Sequence, residues 1–367
     1  MIPIINGLRG LAILAVLLEH VTSGVRPSIG PFIPWTSISL APLIWNGWTG
    51  VNLFFILSGF VLFFPYVNGR RTLTCWRDAR IYYWRRFLRL MPLYWAAILL
   101  ELVMAPKSLT ETAWLVSGLF SLSPSGSRFW NWPLWSIGVE ILFSIALPIL
   151  VLAWQRLGAW RLVLTVLLVA LTVRSAGYLF FAPTNDIATS YVVNSIIARL
   201  DEFVLGMLVA KLYFSRMITI PSAFLISTGL VLVLAAWIGN DLVRQDVWIP
   251  VMRAPINNVL DLGFTLTLAG ALASASRLSG LLSWPPLQIL GMMCYSIYIW
   301  HVPILRALFS PSRVDDVAYV MGSVGYLLIV LLLAAISYRF IEFFGVREWR
   351  PLFLLKPTAM REARVRS

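Results

Sequence analysis

Ten apolar segments, each long enough to cross a bilayer, follow one another along this chain of 367 residues. A helix needs about 20 residues to cross the hydrocarbon core, so ten crossings use roughly 200 residues and leave short loops. Only 12% of the residues are charged, about half the share of a soluble protein. The segments are 4–22, 48–67, 88–105, 134–154, 160–181, 190–213, 218–239, 255–275, 286–308 and 317–341. The sequence therefore predicts an all-α, polytopic integral membrane protein with about ten transmembrane helices.

The basic residues are distributed unevenly between the two sides of the predicted membrane domain. The chain has 29 Lys and Arg against 16 Asp and Glu, a net charge of +13. With the N-terminus inside, 19 of the 29 fall on the inner side and seven on the outer side. Because cytoplasmic loops collect Lys and Arg, we predict that both termini are cytoplasmic and that the surplus charge reports orientation, with no nucleic acid as partner. The domain is assigned to residues 1–345, followed by a basic cytoplasmic tail at 346–367.

Two boundary segments need separate interpretation. The apolar stretch 112–122 is too short to span, and an eleventh crossing there would place the basic tail outside, so we expect an interfacial or re-entrant piece. The N-terminus lacks the basic region and the cleavage site of a signal peptide, so we expect 4–22 to be a retained first helix.

Cysteine and histidine are too few for a metal or disulfide framework. Cys75 lies in a basic segment and Cys294 in an apolar one, without metal-binding spacing. His20 and His301 are the two histidines of the chain. The sequence therefore predicts no metal site.

Arg9 and His20 are the most informative ionisable residues within a predicted span. They are 11 residues apart, about three helical turns plus 20°, so both project from one face, about 16 Å apart. A buried histidine can take a proton from a hydroxyl and return it to a leaving group. A hydrogen-bonded core histidine is the alternative. Glu19 points about 100° away and is expected to meet another helix.

Glu140 and His301 are predicted to lie near the depth of His20. Helical rise places all three within about 10 Å of the outer boundary. Glu140 would then orient His20 or stabilise its protonated form, or else pair with Arg174 or Arg199. The aromatic residues around His301 are also consistent with simple helix packing.

A second cluster lies on the inner side, where seven arginines fall between residues 70 and 89. Arg86 and Arg89 are spaced i and i+3 on one helical face, and paired guanidiniums bind phosphates well. Orientation alone explains a basic inner loop equally well, and anionic lipid headgroups would also satisfy it.

Other polar residues favour packing. Ser58, beside Gly59, lets helices approach closely, whereas Asn52 could line a cavity. Asp201 and Glu202 are expected to form a buried ion pair with Arg199, which precedes them on the same helix.

Four segments together resemble the membrane-bound acyltransferase-3 family, whose members acylate hydroxyls of surface polysaccharides and related acceptors. They are Leu8-Arg-Gly-Leu-Ala with His20, Gly50-Val-Asn-Leu-Phe-Phe-Ile-Leu-Ser-Gly-Phe60, Arg86-Phe-Leu-Arg-Leu-Met-Pro-Leu-Tyr94 and Trp135-Ser-Ile-Gly-Val-Glu140. Weaker matches are Tyr298-Ile-Trp-His-Val-Pro303 and Tyr338-Arg-Phe-Ile-Glu342. Their order across residues 8–342 makes the resemblance specific.

The resemblance implies transfer of an acyl group, usually acetyl from cytoplasmic acetyl-CoA, to a hydroxyl acceptor near the outer face. His20 becomes the catalytic histidine, Glu140 a supporting acid and Arg9 a required partner. Arg86 and Arg89 become candidates for binding the CoA phosphates. The stretch after residue 345 is too short for the extracytoplasmic second domain of many members, so we expect the chain either to find its acceptor without that domain or to act on an acceptor that needs none.

These observations predict an O-acetyltransferase of a bacterial inner membrane that acts on a surface polysaccharide or lipopolysaccharide-type glycan, with acetyl-CoA as the donor. His20 is the predicted general base, and a brief acyl-His20 is the mechanistic variant. The alternative is a transporter or flippase whose buried Arg, Glu and His residues bind cargo.

Overall fold

The computed structural model describes residues 2–25, 44–123, 129–182, 185–273, 277–309, 316–346 and 350–355. Within these ranges the chain forms helices and no strands, which confirms the predicted all-α class. The α-helices are α1 (Pro3–Val25), α2 (Gly50–Val67), α3 (Trp76–Met104), α4 (Leu109–Ser117), α5 (Leu134–Leu157), α6 (Ala159–Phe180), α7 (Asp186–Val193), α8 (Ile196–Phe214), α9 (Ser222–Arg244), α10 (Arg253–Ala273), α11 (Arg277–Leu282), α12 (Pro285–Met292), α13 (Cys294–Leu308) and α14 (Asp316–Ser337). A π-helical turn, Tyr338–Glu342, continues α14.

Among the described residues, eight helices are long and apolar enough to cross a membrane. A ninth crossing results if α12 and α13, which are bent by 73° relative to each other, form one span. The predicted segment 190–213 contains α8, which carries four charged residues and is not among these apolar helices. Three of these four are buried inside the bundle, where protein surrounds them and an apolar surface is not needed.

Three predicted segments differ in detail from the helices. Segment 88–105 belongs to a longer helix, because α3 begins at Trp76 and takes in most of the basic inner cluster. Segment 190–213 is divided into α7 and α8, with Asn194 and Ser195 at the break. Segment 286–308 is not one straight helix, since α12 ends at Met292 and α13 begins at Cys294.

The short stretch 112–122 forms α4 and a 3₁₀ turn at Phe120–Leu122. The nine residues of α4 are far fewer than a crossing requires. A serine cap at Ser108 begins the helix, and Gly118 ends it in the left-handed conformation. Of the predicted tail 346–367, only residues 346 and 350–355 are described, so its assignment lies largely outside the structure.

Glycines bring the central helices into backbone contact. A Cβ atom on Gly59 of α2 would lie 1.9 Å from the Phe203 carbonyl oxygen, and one on Gly206 of α8 would lie 1.9 Å from that of Ile56. On α12, a Cβ on Gly291 would lie 1.7 Å from the Asn6 carbonyl oxygen of α1. Small residues at such positions allow helices to pack closely in a membrane, as predicted for Gly59. The packing fixes α1, α2, α8 and α12 around the cavities described below.

The predicted cytoplasmic location of both termini can be tested with a native thiol. Cys75 is exposed just before α3, and Cys294→Ser leaves it as the remaining thiol of the chain. If the segment before α3 faces the cytoplasm, a membrane-impermeant maleimide added to intact cells will label Cys75 only after detergent opens the membrane.

The control places a thiol on the predicted outer side. Gln245 is exposed after α9, and Gln245→Cys in a Cys75→Ser, Cys294→Ser background should be labelled in intact cells. The opposite pattern, with Cys75 labelled in intact cells and the Gln245→Cys variant protected, would invert the topology.

Candidate active site

Both ring nitrogens of His20, near the end of α1, are in hydrogen-bonding contact. Nδ1 lies 2.8 Å from the Val16 carbonyl oxygen and 2.8 Å from Glu19 Oε2. Nε2 lies 3.3 Å from the indole nitrogen of Trp132, which donates to it. Because both groups facing Nδ1 are acceptors, the neutral ring carries its proton on Nδ1 and its lone pair on Nε2, where the Trp132 indole N–H donates to it. Nε2 is therefore the atom that can take a proton from a ligand.

Glu19 occupies a position that the sequence analysis did not anticipate. It was expected to meet another helix, but its carboxylate contacts the ring of the neighbouring His20. Adjacent Cα atoms of a helix are about 100° apart, but the flexible side chain of Glu19 turns back along its own helix to reach the ring. Glu19 is thus the acid that orients His20.

The second histidine lies directly beside the first. The ring centroids of His20 and His301 are 5.0 Å apart, with the planes perpendicular. His301 is fully buried and its Nδ1 lies 2.6 Å from the Tyr298 carbonyl oxygen. Its Nε2 has no hydrogen-bond partner among the described residues. The structure therefore brings the two histidines of the chain into one site.

Trp132, which covers His20, is held from two sides. Its ring stacks on that of His20 with centroids 5.7 Å apart, and the Arg306 guanidinium lies 4.9 Å from its ring centroid. Buried Glu101 of α3 accepts hydrogen bonds from the backbone N–H groups of Trp130 at 2.6 Å and Asn131 at 2.8 Å. Sequence reasoning missed Trp132, because a residue between helices has no periodicity to place it.

His20 opens on a cavity of about 570 Å³ with an aromatic and polar lining. The aromatic side chains include Trp48, Trp132 and Trp135, and the polar ones include Asn194 and Asn240. Four arginines also line it: Arg174, Arg199, Arg244 and Arg253. Such a lining suits a ligand with an apolar face and several hydroxyl groups.

A second cavity, of about 270 Å³, is lined by Arg9 together with Arg86 and Arg89. Val51 and Tyr298 line both this arginine cavity and the cavity of His20. Ser136 donates a hydrogen bond to the Tyr298 hydroxyl at 2.8 Å, which fixes that side chain between the two. The two cavities thus adjoin at Val51 and Tyr298.

Glu140 lines the arginine cavity and pairs with Arg86 at 2.5 Å. Ser144 accepts two further hydrogen bonds from the same guanidinium, at 2.9 and 3.0 Å. The expected contact of Glu140 with His20, Arg174 or Arg199 is therefore wrong. Since α3 begins at Trp76, Arg86 lies about 15 Å along the helix and reaches Glu140 inside the bundle.

The other two arginines of this cavity differ in their partners. Arg89 forms an ion pair with Glu342 of the π-helical turn, and its guanidinium lies 5.0 Å from the centroid of the Phe343 ring. Arg9 makes no hydrogen bond or ion pair with any residue that the structure describes. Ser58 also lines this cavity. An anionic ligand would therefore meet one guanidinium without a protein partner beside two that are already held in place.

A buried charge cluster lies beside the cavity of His20. Arg199 pairs with Glu202 at 2.8 Å, which confirms the predicted ion pair, while Asp201 pairs with Arg174 at 2.5 Å. Asn52 donates to Glu202 and to Asp261 at 3.0 and 2.9 Å, so it belongs to this cluster and lines neither of the two cavities.

Asp201, Glu202 and Asp261 lie close enough together for their carboxylates to share a cation. Oxygens of the three groups fall within 4.8 Å of one another. Two guanidiniums and the Asn52 amide already donate to these carboxylates. Stabilising the helix packing around His20 is the role that these contacts support.

The chain matches known proteins over most of its length. Residues 2–339 match the family model of an acyltransferase domain. The O-acetyltransferase OatA of Staphylococcus aureus is 23% identical, with 93% of this chain and 56% of that protein aligned. The putative peptidoglycan O-acetyltransferase YrhL of Bacillus subtilis is 25% identical, over 93% and 54% of the two chains. The peptidoglycan O-acetyltransferase OatA of Listeria monocytogenes is 24% identical, over 93% and 55%.

The chain spans about half the length of these relatives. No solved structure matches it. The family model covers Arg9, His20, Arg86, Arg89 and Glu140 alike. With nearly the whole chain matched, and with the predicted motifs assembled around two adjoining cavities, this protein belongs to the acyltransferase-3 family.

Proposed function

We propose that this membrane protein is an O-acetyltransferase that moves an acetyl group from acetyl-CoA to a hydroxyl of a glycan. The observation that carries the proposal is the state of His20, whose Nδ1 proton is held by two acceptors while Nε2 can accept a proton. A general base needs this arrangement, in which one nitrogen is fixed and the other faces the ligand.

The arginine cavity is the proposed binding site of the donor. Acetyl-CoA carries phosphates, and guanidiniums bind phosphate with directed, charge-assisted hydrogen bonds. Arg86 and Arg89 are held in place by Glu140 and Glu342, and Arg9 is available to the ligand. In this proposal the thioester reaches His20 past Val51 and Tyr298, where the two cavities adjoin.

The reaction requires one proton to move from the acceptor to the leaving group. The hydroxyl oxygen attacks the thioester carbonyl carbon, and His20 Nε2 takes the hydroxyl proton. The carbon–sulfur bond then breaks, and the proton passes from Nε2 to the sulfur of CoA. Glu19 stabilises the ring while it is positively charged, and it does not itself exchange the proton.

The proposed acceptor is a glycan of the bacterial cell envelope, and the proposed location is the cytoplasmic membrane. Trp48, Trp132 and Trp135 give the cavity of His20 flat apolar surfaces, and Asn194 and Asn240 offer hydrogen bonds to hydroxyls. The names of two relatives give peptidoglycan as their acceptor. We therefore propose to test peptidoglycan as an acceptor together with surface polysaccharide and lipopolysaccharide.

Replacing His20 by Ala should abolish acetyl transfer, because the change removes the nitrogen that takes the proton of the acceptor hydroxyl. We expect the rate to fall by at least about a hundredfold, the usual contribution of a general base. Purified protein is given isotopically labelled acetyl-CoA, and the label is measured by mass spectrometry in peptidoglycan, surface polysaccharide and lipopolysaccharide.

Glu19→Gln provides the matched control, since it keeps an oxygen near Nδ1 but removes the charge, and it should give a smaller loss. Full acetylation by the His20→Ala variant would exclude His20 as the base. Movement of a glycan across reconstituted membranes without any label transfer would favour the transporter instead.

Trp132→Phe should uncouple donor consumption from transfer. The indole N–H occupies the lone pair of His20 Nε2, and the acceptor hydroxyl must displace it. Phenylalanine keeps the stacked ring but cannot donate, so water can reach Nε2. We expect several-fold more acetyl-CoA hydrolysis without acceptor, measured as release of free CoA. Trp130→Phe is the control, and an equal rise in both variants would contradict this role of Trp132.

Arg9→Gln should weaken donor binding while leaving the fold intact, because Arg9 supports no described ion pair. Loss of one charge-assisted bond to phosphate predicts a roughly ten- to hundredfold higher Kd for acetyl-CoA. Calorimetry with CoA and acetyl-CoA measures the affinity, and Arg9→Lys should recover part of it. The exposed Arg156→Gln removes the same charge elsewhere, and equal affinities in the two Gln variants would argue against the proposed donor site.

A further inference from the structure

A stripe of six side chains runs along one face of α3, and none of the six takes part in the proposed acetyl transfer. The residues are spaced by three or four positions, so they lie on one side of the helix. They are, in order, Arg77, Arg80, Trp84, Phe87, Met91 and Trp95. The stripe begins with two basic side chains, and the four that follow are aromatic or aliphatic.

All six line a groove on the surface of the bundle, with a volume of about 940 Å³. Ile141 and Ile145 of α5 form the opposite wall, and Val116 of α4 lies at the apolar end. The Tyr83 hydroxyl donates to the Ile145 carbonyl oxygen at 2.9 Å, and the Trp95 indole donates to that of Val116 at 3.0 Å. These contacts tie the walls of the groove together.

The basic end of the groove has positive charge without a protein counterion. Arg77 and Arg80 are exposed, and neither forms an ion pair with a residue in the described part of the chain. Arg85 adds a third exposed guanidinium to the same lining. A ligand at this end is therefore expected to be anionic.

The remainder of the groove has the dimensions of a lipid chain. From Trp84 to Trp95 the helix rises about 17 Å, close to the roughly 15 Å that one leaflet contributes to the hydrocarbon core. Phe87, Trp95 and Ile145 are 38%, 41% and 45% exposed, so no described helix covers this face. The order along the groove, from charged side chains to aromatic and aliphatic ones, matches the order of headgroup and acyl chain along a phospholipid.

We propose that this groove binds one anionic phospholipid, with its phosphate at Arg77 and Arg80 and an acyl chain along Phe87, Trp95 and Ile145. Basic pockets between helices on the cytoplasmic side of a membrane are suited to such headgroups. Charge complementarity selects an anionic lipid over a zwitterionic one, and the apolar length selects a lipid over a soluble phosphate.

The test uses the full chain, delipidated in detergent, with phosphatidylglycerol and phosphatidylcholine of identical acyl chains. Native mass spectrometry measures the Kd of each lipid. We expect one tightly bound phosphatidylglycerol, and Arg77→Gln with Arg80→Gln should weaken it about thirtyfold. Binding of phosphatidylcholine should not change. Arg156→Gln with Arg161→Gln removes the same charge at exposed positions outside the groove and should have little effect.

A second pair of variants tests the chain. Ile145→Trp fills the groove and should weaken phosphatidylglycerol binding, whereas Ile149→Trp, on the same helix at a 68% exposed position outside the groove, should not. Glycerol phosphate, which has the headgroup charge without a chain, should not compete.

Four results would overturn the proposal. The first is equal affinity for phosphatidylglycerol and phosphatidylcholine, and the second is an equal loss of phosphatidylglycerol affinity in the two double arginine variants. The third is equal phosphatidylglycerol affinity in the two tryptophan variants, and the fourth is competition by glycerol phosphate. Displacement of the lipid by acetyl-CoA would instead identify a nucleotide site, and a chain dimer lost in Ile145→Trp would identify a second copy as the occupant. Because no turnover is measured, each result is independent of the proposed acetyl transfer.

Discussion

The cost of burying charge in a bilayer is the constraint on which this structure depends. A charged side chain at membrane depth must be paired or must face a cavity, and nearly every such residue that the structure describes does one or the other. Arg199 pairs with Glu202 within α8. Arg174 of α6 pairs with Asp201 of α8 and also donates to Asn258 of α10, so these contacts join the three helices. Arg86 with Glu140 does the same for α3 and α5. Within the described ranges Arg9 lacks such a partner, and an unpaired guanidinium inside a cavity is what a site for an anionic ligand requires.

The arrangement separates two chemical tasks that acetyl transfer would need. The arginine cavity is lined by Arg9, Arg86 and Arg89 among mainly apolar side chains, while the cavity of His20 combines three tryptophans with polar side chains and four other arginines. Val51 and Tyr298 stand where they adjoin, and the Tyr298 hydroxyl is fixed by Ser136. A donor and an acceptor could thus approach one histidine from different sides without sharing a binding surface.

The sequence predicts the helical class and the positions of most helices, because apolar length and charge are local properties of a chain. It also predicts the Arg199–Glu202 pair, since residues three apart on a helix are neighbours. It fails for Glu140, whose partner Arg86 is 54 positions away and lies on a helix that begins earlier than apolarity alone indicates. Trp132 and the role of Glu101 are not predicted for a related reason. Both depend on the segment between α4 and α5, whose path is determined by packing and not by a periodic sequence pattern. The contact of Glu19 with His20 is not predicted because backbone geometry alone does not determine where a flexible side chain ends.

The length of α3 has a mechanical consequence. This single helix carries Arg86 and Arg89 in the arginine cavity and, about 18 Å further along its axis, Glu101, which holds the backbone beside Trp132. Pro92 lies between these two points and removes one backbone hydrogen bond of the helix, but the chain stays helical on both sides of it. A displacement of α3 as a whole that accompanies a ligand at its arginines would therefore also move the support of the indole that covers His20, so the exposure of the histidine and the filling of the neighbouring cavity are geometrically linked.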